Sequence, residues 1–187
     1  MATKTIIGLA GMPASGKSSV AEHIVKKYNA AHIRTHDFIW NFLKARGVKP
    51  DEDTSVMAAL YIWVEYGDLP LVDWVNKQIR SAKSRIVVID SLRTTEEARA
   101  FKLKYKNNFH IVAVLARPDI RFQRQAKRAR FGPLTKLELR MRDREELRLG
   151  VGDLIASSEH YIDANPGIER IKPKIGELVS VLKTKSF

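Results

Sequence analysis

The chain has no cysteine in its 187 residues. Disulfides, thiolate metal sites and cysteine nucleophiles are therefore excluded. It also has no apolar run approaching the roughly 18 residues that a membrane-spanning helix needs. Acids are scarce: 21 Asp and Glu stand against 33 Lys and Arg, a formal net charge of +12. A balance this basic favours polyanionic partners such as nucleotides, coenzymes, nucleic acid or acidic membrane surfaces, without choosing among them. Glycine is sparse too, ten residues in all, yet Gly8, Gly11 and Gly16 crowd into one short stretch.

The length suits one domain with a full core or one core with a small appended lid, and a hydrophobic fraction of 44% supports a globular fold. The opening "MATKTIIGLAG" carries one lysine and a short apolar run that leads straight into the glycines, so it reads as a first strand rather than a signal peptide. The expected location is the cytoplasm.

Short apolar runs rich in β-branched residues predict strands at Thr5–Ala10, Arg85–Asp90 and His110–Ala116, with weaker candidates at Ala31–Thr35 and Tyr161–Ala164. Continuous rather than alternating apolar runs suit a parallel sheet covered on both faces. Helical patterns lie between them: Lys17–Tyr28, Thr95–Tyr105 with Thr94 or Thr95 as cap, and Asp119–Arg130 behind Pro118. Strands alternating with helices imply a three-layer α/β domain. Two excursions interrupt the alternation, residues 37–83 with about three helices and residues 119–158. Both are expected to be insertions on one core spanning residues 1–187, the first receiving an acceptor and the second forming a basic lid. Two such excursions beside one loop are what a closing enzyme needs.

The loop is Gly11-Met12-Pro13-Ala14-Ser15-Gly16-Lys17-Ser18, followed by Ser19. It fits G-x-x-x-x-G-K-S, the phosphate-binding loop, and it sits between a predicted strand and a predicted helix. Glycines let the backbone curl so that N–H groups point at phosphate oxygens. The helix start adds a positive end. Lys17 reaches β- and γ-phosphates as a point charge, and Ser18 offers a hydroxyl to Mg²⁺. ATP and Mg²⁺ are the expected ligands.

Other candidates follow from position. Asp37 stands just past the second strand, where ligands of open α/β sheets bind, and a carboxylate there can orient an acceptor hydroxyl or take its proton. As an alternative it caps the helix "FIWNFLKARG". His36 beside it is the weaker candidate. Asp90 ends the third strand, a place from which an acid holds Mg²⁺ through water, or it is a strand-end turn residue. Arg121, Arg124 and Arg128 share one helical face by their spacing. Arg142 and Arg144 lie in "MRDRE". These arginines either neutralise charge on a transferring group or form a solvated face paired with Glu138, Asp143, Glu145 and Glu146. Trp40, Phe42, Tyr61, Trp63, Tyr66 and Trp74, at helical spacing, are expected mainly in the core, with stacking on a base as the other reading.

The joint spacing of "GMPASGKSS", "HD", "VVIDSLRTTEEARAF" and "RDREELRLGVGDLIASSEHYIDAN" resembles an archaeal family of P-loop nucleotide kinases related to adenylate kinase and dephospho-CoA kinase, over nearly the whole chain. The resemblance implies a five-stranded parallel sheet of order 2-3-1-4-5, a helical acceptor region and an Arg-bearing lid. It implies that Asp37 faces the acceptor and that Arg93 grips acceptor phosphate. Related kinases have Asp-Gly-x-Arg at this turn, where this chain has Asp90-Ser91-Leu92-Arg93. It further implies that Arg124, Arg128, Arg142 and Arg144 act on the donor and that Asn165 touches the adenine. The expected activity is phosphoryl transfer from ATP to a small nucleotide or nucleotide-like acceptor. The alternative is a nucleotide-binding regulator or RNA-associated protein, including an RNA-end kinase. No recognisable RNA-binding module supports the alternative.

Overall fold

The computed structural model of the chain describes residues 4–127 and 135–186. Its strands are β1 (Thr5–Ala10), β2 (Ala31–Arg34), β3 (Ile86–Asp90), β4 (Phe109–Leu115) and β5 (His160–Asp163). Its helices are α1 (Lys17–Tyr28), α2 (Thr35–Lys44), α3 (Glu52–Tyr66), α4 (Leu69–Ser81), α5 (Thr95–Tyr105), α6 (Pro118–Ala126), α7 (Lys136–Arg148), α8 (Val151–Ala156) and α9 (Ile168–Lys185). Every strand pair is parallel and the order is β2-β3-β1-β4-β5, as the family resemblance implied. Several strands begin or end a residue away from their predicted positions.

The sheet is apolar on both faces because both are covered, as in other all-parallel sheets. Side chains alternate along β1. Ile7 and Leu9 join Val20, Ile24, Ile175 and Val179 of α1 and α9 in one core cluster. Ile6 and Ala10 join Val75 and Ile79 of α4, Phe101 of α5 and Leu154 of α8 in the other. The three-layer arrangement follows directly. The connection β1–α1–β2 and the connection β3–α5–β4 depart to opposite sides of β1. That reversal of strand order opens a crevice beyond the carboxyl ends of the strands, the usual ligand position in open α/β sheets.

The excursion after β2 holds three helices, α2 to α4. The first begins sooner than expected. Arg34 occupies its cap position with no side-chain cap, and Thr35 Oγ1 donates to Ser91 O at 3.1 Å, which pins the helix start to the end of β3. Asp37 therefore lies within the first turn and is not the N-cap. Helix α3 has a full capping box: Thr54 N donates to Asp51 Oδ1 at 2.8 Å and Asp51 N to Thr54 Oγ1 at 2.9 Å. The expectation that the aromatics here are mainly core fails for Tyr61, Trp63 and Tyr66, which are about half exposed. Among the described residues no helix is long and apolar enough to cross a membrane.

The excursion after β4 contains α6, α7 and α8. Leu154 of α8 is fully buried against the sheet, so this part of the span expected for a lid is built into the core. Leu154→Ala is expected to lower unfolding free energy by about 3 kcal/mol in urea titrations, since a cavity beneath a helix this short closes poorly. A change below about 1 kcal/mol would mean that α8 is not a structural layer.

Candidate functional site

The loop between β1 and α1 depends on residues with positive φ: Gly11 at 147°, Ala14 at 59° and Gly16 at 108°. A Cβ on Gly11 would lie 2.4 Å from Val114 O and 2.9 Å from Ser15 Oγ, so only glycine fits. Ser15 N donates to Met12 O at 3.1 Å and closes the curl. Lys17 Nζ donates to Gly11 O at 2.7 Å and Met12 O at 3.1 Å. Helix α1 starts at Gly16 with no side-chain cap, so its first N–H groups lack a side-chain acceptor there. Ser15 Oγ is buried with no hydrogen-bond partner among the described residues. A helix start without a side-chain cap, an orphaned buried hydroxyl and an ammonium around one curl suit a phosphate group.

Asp90 lies beside this loop because strand register puts it opposite Leu9 of β1 and Arg34 of β2. It is 6% exposed. Burial alone would push its carboxyl up. His32 Nε2 at 3.3 Å, a hydrogen bond from Ser18 and the charge of Lys17 outweigh that, and hold it below the usual carboxylate range. Ser18 and Asp90, the two expected metal ligands, are thus in contact. One hydroxyl and one carboxylate suit Mg²⁺, which retains several waters.

Past Asp90 the chain turns through a cis Asp90–Ser91 peptide. Leu92 N donates to Leu9 O at 2.8 Å, and Arg93 N to Glu97 Oε2 at 3.0 Å. The Arg93 side chain is exposed, with Nη2 4.0 Å from Glu146 Oε1. Glu97 is 3% exposed. Burial, reinforced by the charge of Asp68 and opposed by the Arg93 and Thr94 N–H groups and the Arg93 charge, raises its carboxyl to about 7.

One cavity lies against β2, α2 and α4, and another against the loop. The first, of about 460 Å³, is lined by His32, Arg34, Asp37, Trp40, Lys44 and Trp74. Asp37 is held there by Arg34 Nε at 3.1 Å and His36 Nε2 at 3.2 Å. The other, of about 270 Å³, is lined by Met12, Leu115, Arg117, Ile155 and Asn165. Asn165 Oδ1 accepts from Arg117 N at 2.8 Å.

The arginines divide. Arg124 donates to Ser15 O at 2.9 Å and to Ala164 O, bracing the back of the loop. Arg142 is half-buried on α7, and burial lowers its guanidinium against the opposing charge of Glu146. Arg144 is exposed. Arg128 lies outside the described residues. Arg121, which the sequence places on one helical face with Arg124 and Arg128, is not solvated but 3% exposed. It grips Asp143 with two bonds of 2.7 and 2.6 Å and donates to Pro13 O at 3.1 Å, tying α6 and α7 to the loop. Sequence reasoning passed over His32 and Glu97. The pairing of His32 with Asp90 joins distant positions, so no local signal marked it. Within "TTEEARAF" only burial separates Glu97 from exposed Glu96.

Comparison with known proteins agrees with the fold. Residues 10–138 match the AAA domain family, and the chain has a P-loop kinase-like fold. A shikimate kinase from Acinetobacter baumannii, solved in complex with shikimate, superposes with a TM-score of 0.60 at 17% identity, over 96% of this chain and 94% of its own. A shikimate kinase from Bacteroides thetaiotaomicron gives 0.62 at 14% identity, over 94% and 98%. The chain is 34% identical over 177 residues to a UPF0200 protein of Methanosarcina barkeri, 94% of each. It is 31% identical over 182 residues to one of Hyperthermus butylicus, 97% of this chain and 96% of the relative. The chain belongs to the UPF0200 family of archaeal proteins.

Glu97 gives a test of the turn. Its folded value of about 7 stands above the ordinary 4.5, so the folded state holds an extra proton between those values. Its contribution is therefore fully present below about pH 4.5 and is lost as pH rises through 7, a fall of about 3 kcal/mol. Glu97→Gln keeps an acceptor for Arg93 N and is expected to flatten the decline in urea-measured stability between pH 5 and 8. An unchanged decline would show that Glu97 is not the buried acid.

Proposed function

We propose that the protein is an ATP- and Mg²⁺-dependent phosphotransferase acting on a small nucleotide or nucleotide-like acceptor. The observation that carries this reading is the convergence of Lys17, Ser18 and Asp90 at one point, between a phosphate cradle and the cleft that holds Asp37.

The roles follow from chemistry and position. The loop of residues 11–19 binds donor phosphates through its backbone N–H groups, Pro13 having none, and Lys17 leaves its loop carbonyls for the β- and γ-oxygens. Ser18, and Asp90 through water, would hold Mg²⁺, which would supply positive charge against the donor phosphates. The cavity beside Met12 and Asn165 takes the base. Asp37, its oxygens fixed by Arg34 and His36, orients an acceptor hydroxyl and accepts its proton. Arg93, exposed at the surface, grips an acceptor phosphate as a bidentate donor. Arg128 and Arg142 supply positive charge as the phosphoryl group moves in line, without a covalent enzyme intermediate, while Arg124 serves the donor from behind the loop it braces. Arg34 and Lys44 in the acceptor cleft suit an anionic acceptor, and Trp40 and Trp74 offer faces for a ring.

The test is ATP consumption across AMP, CMP, UMP, GMP, the deoxynucleotides, nucleosides and dephospho-CoA. Shikimate joins the panel because a structural neighbour was solved with it. One acceptor is expected to give turnover that Lys17→Ala reduces by on the order of 10²–10³. If that acceptor carries phosphate, Arg93→Met is expected to raise its KM about tenfold and leave that for ATP unchanged. ATP binding without turnover on any acceptor moves the reading to a regulator or an RNA-end kinase. RNA retention that falls steeply with salt would then be the sign of nucleic acid.

A further inference from the structure

Two imidazoles and a carboxylate converge at the end of the sheet opposite the phosphate loop. His110 is the second residue of β4, His160 the first of β5, and Glu159 directly precedes it. Val112 is in register with His160, so His110, two residues before Val112, lies on the same face, the one covered by α9. One ligand atom from each of His110, Glu159 and His160 lies within 4.8 Å of the other two. His110 Nδ1 is 3.8 Å from Glu159 Oε2.

Hydrogen bonding fixes how His110 presents itself. Ser186 Oγ donates to Leu182 O at 2.8 Å, so toward His110 Nε2, 3.0 Å away, its oxygen serves as acceptor. His110 Nε2 then carries the proton, and the lone pair of the neutral ring is on Nδ1, toward Glu159. The His110 side chain is 3% exposed. Neither its Nδ1 nor His160 Nε2, both buried, has a hydrogen-bond partner among the described residues. A buried polar atom left so destabilises the fold unless something satisfies it.

We propose that His110, Glu159 and His160 bind a divalent transition metal of the Zn²⁺ class, in a structural site that clamps β4 to β5. Two imidazoles and one carboxylate suit Zn²⁺, whereas Mg²⁺ and Ca²⁺ take oxygen ligands. Bond lengths of about 2.0–2.1 Å put neighbouring tetrahedral ligands about 3.4 Å apart, so the group closes by about 1.4 Å at most. Glu159, whose side chain is 43% exposed, has the most freedom to take up its share of that adjustment. Lys102 Nζ, 2.5 Å from Glu159 Oε1, holds the carboxylate so that Oε2 faces His110, and Ser186 does the same for the ring, the outer contacts that metal ligands commonly have. His110 stands five residues before the end of β4, about 16 Å of strand, so the metal takes no part in chemistry at the phosphate loop.

The experiment uses the full chain, stripped with chelator, loaded with Zn²⁺ and desalted, with metal measured by elemental analysis and affinity by competition with a chromophoric chelator. His23→Asn is the control, and Glu159→Gln and His160→Asn are the tests, since both residues are less buried than His110. Wild type and control are expected to keep one Zn²⁺ per chain. Both test variants are expected to bind at least tenfold more weakly with unchanged circular dichroism, because loss of a ligand exceeds the tenfold typical of an outer contact. Wild type that retains no Zn²⁺, or a His160→Asn variant within tenfold of wild type, overturns the site. The readout does not involve ATP, so it stands or falls apart from the proposed activity.

Discussion

The centre of this molecule depends on keeping one buried carboxylate ionised. Asp90 sits at the end of a central strand, where burial disfavours its charge. Three elements compensate: β2 brings His32, the first turn of α1 brings Ser18, and the loop brings Lys17. Each is placed by the parallel register that aligns Leu9, Asp90 and Arg34. A slip of one residue in β3 would turn the carboxylate to the other face and leave the hydroxyl and ammonium without it. Strand order, loop and helix start are thus tied to one electrostatic requirement.

Much of this was legible beforehand, for identifiable reasons. The strands showed as unbroken apolar runs because both faces of the sheet are covered. The loop showed because its spacing is dictated by the shape of phosphate. Its most restrictive position, Gly11, is also the one where a Cβ would meet a carbonyl. Asp37 and Asp90 showed because strand ends in parallel sheets point to a common edge. What stayed hidden was pairing across the chain. Arg121 looked like any other arginine of a basic helix, and only folding brings Asp143 to it. The aromatics of α3 looked like core at helical spacing, yet Tyr61, Trp63 and Tyr66 lie half exposed. Periodicity reports which residues share a face and not whether anything covers it.

The positive charge also reads differently once placed. A net charge of +12 suggested a surface for polyanions. Part of it is structural instead. Arg121 and Arg124 spend their donors on the carbonyls of Pro13, Ser15 and Ala164, so guanidinium groups brace the loop from behind. Such braces leave the inner side of the curl to backbone N–H groups and Lys17. The loop is positioned by cations without being filled by them.

Lys17 has a consequence for affinity. Its ammonium is bound to Gly11 O and Met12 O, so the protein carries its own competitor for the cradle. A phosphate bound there would gain the lysine only after those two bonds are given up, and its dissociation constant would report the difference between the two sets of contacts. In return the curl has an internal tether of its own. Under the proposed function, loading and unloading would be an exchange of partners by one side chain, rather than an ordering and disordering of the loop.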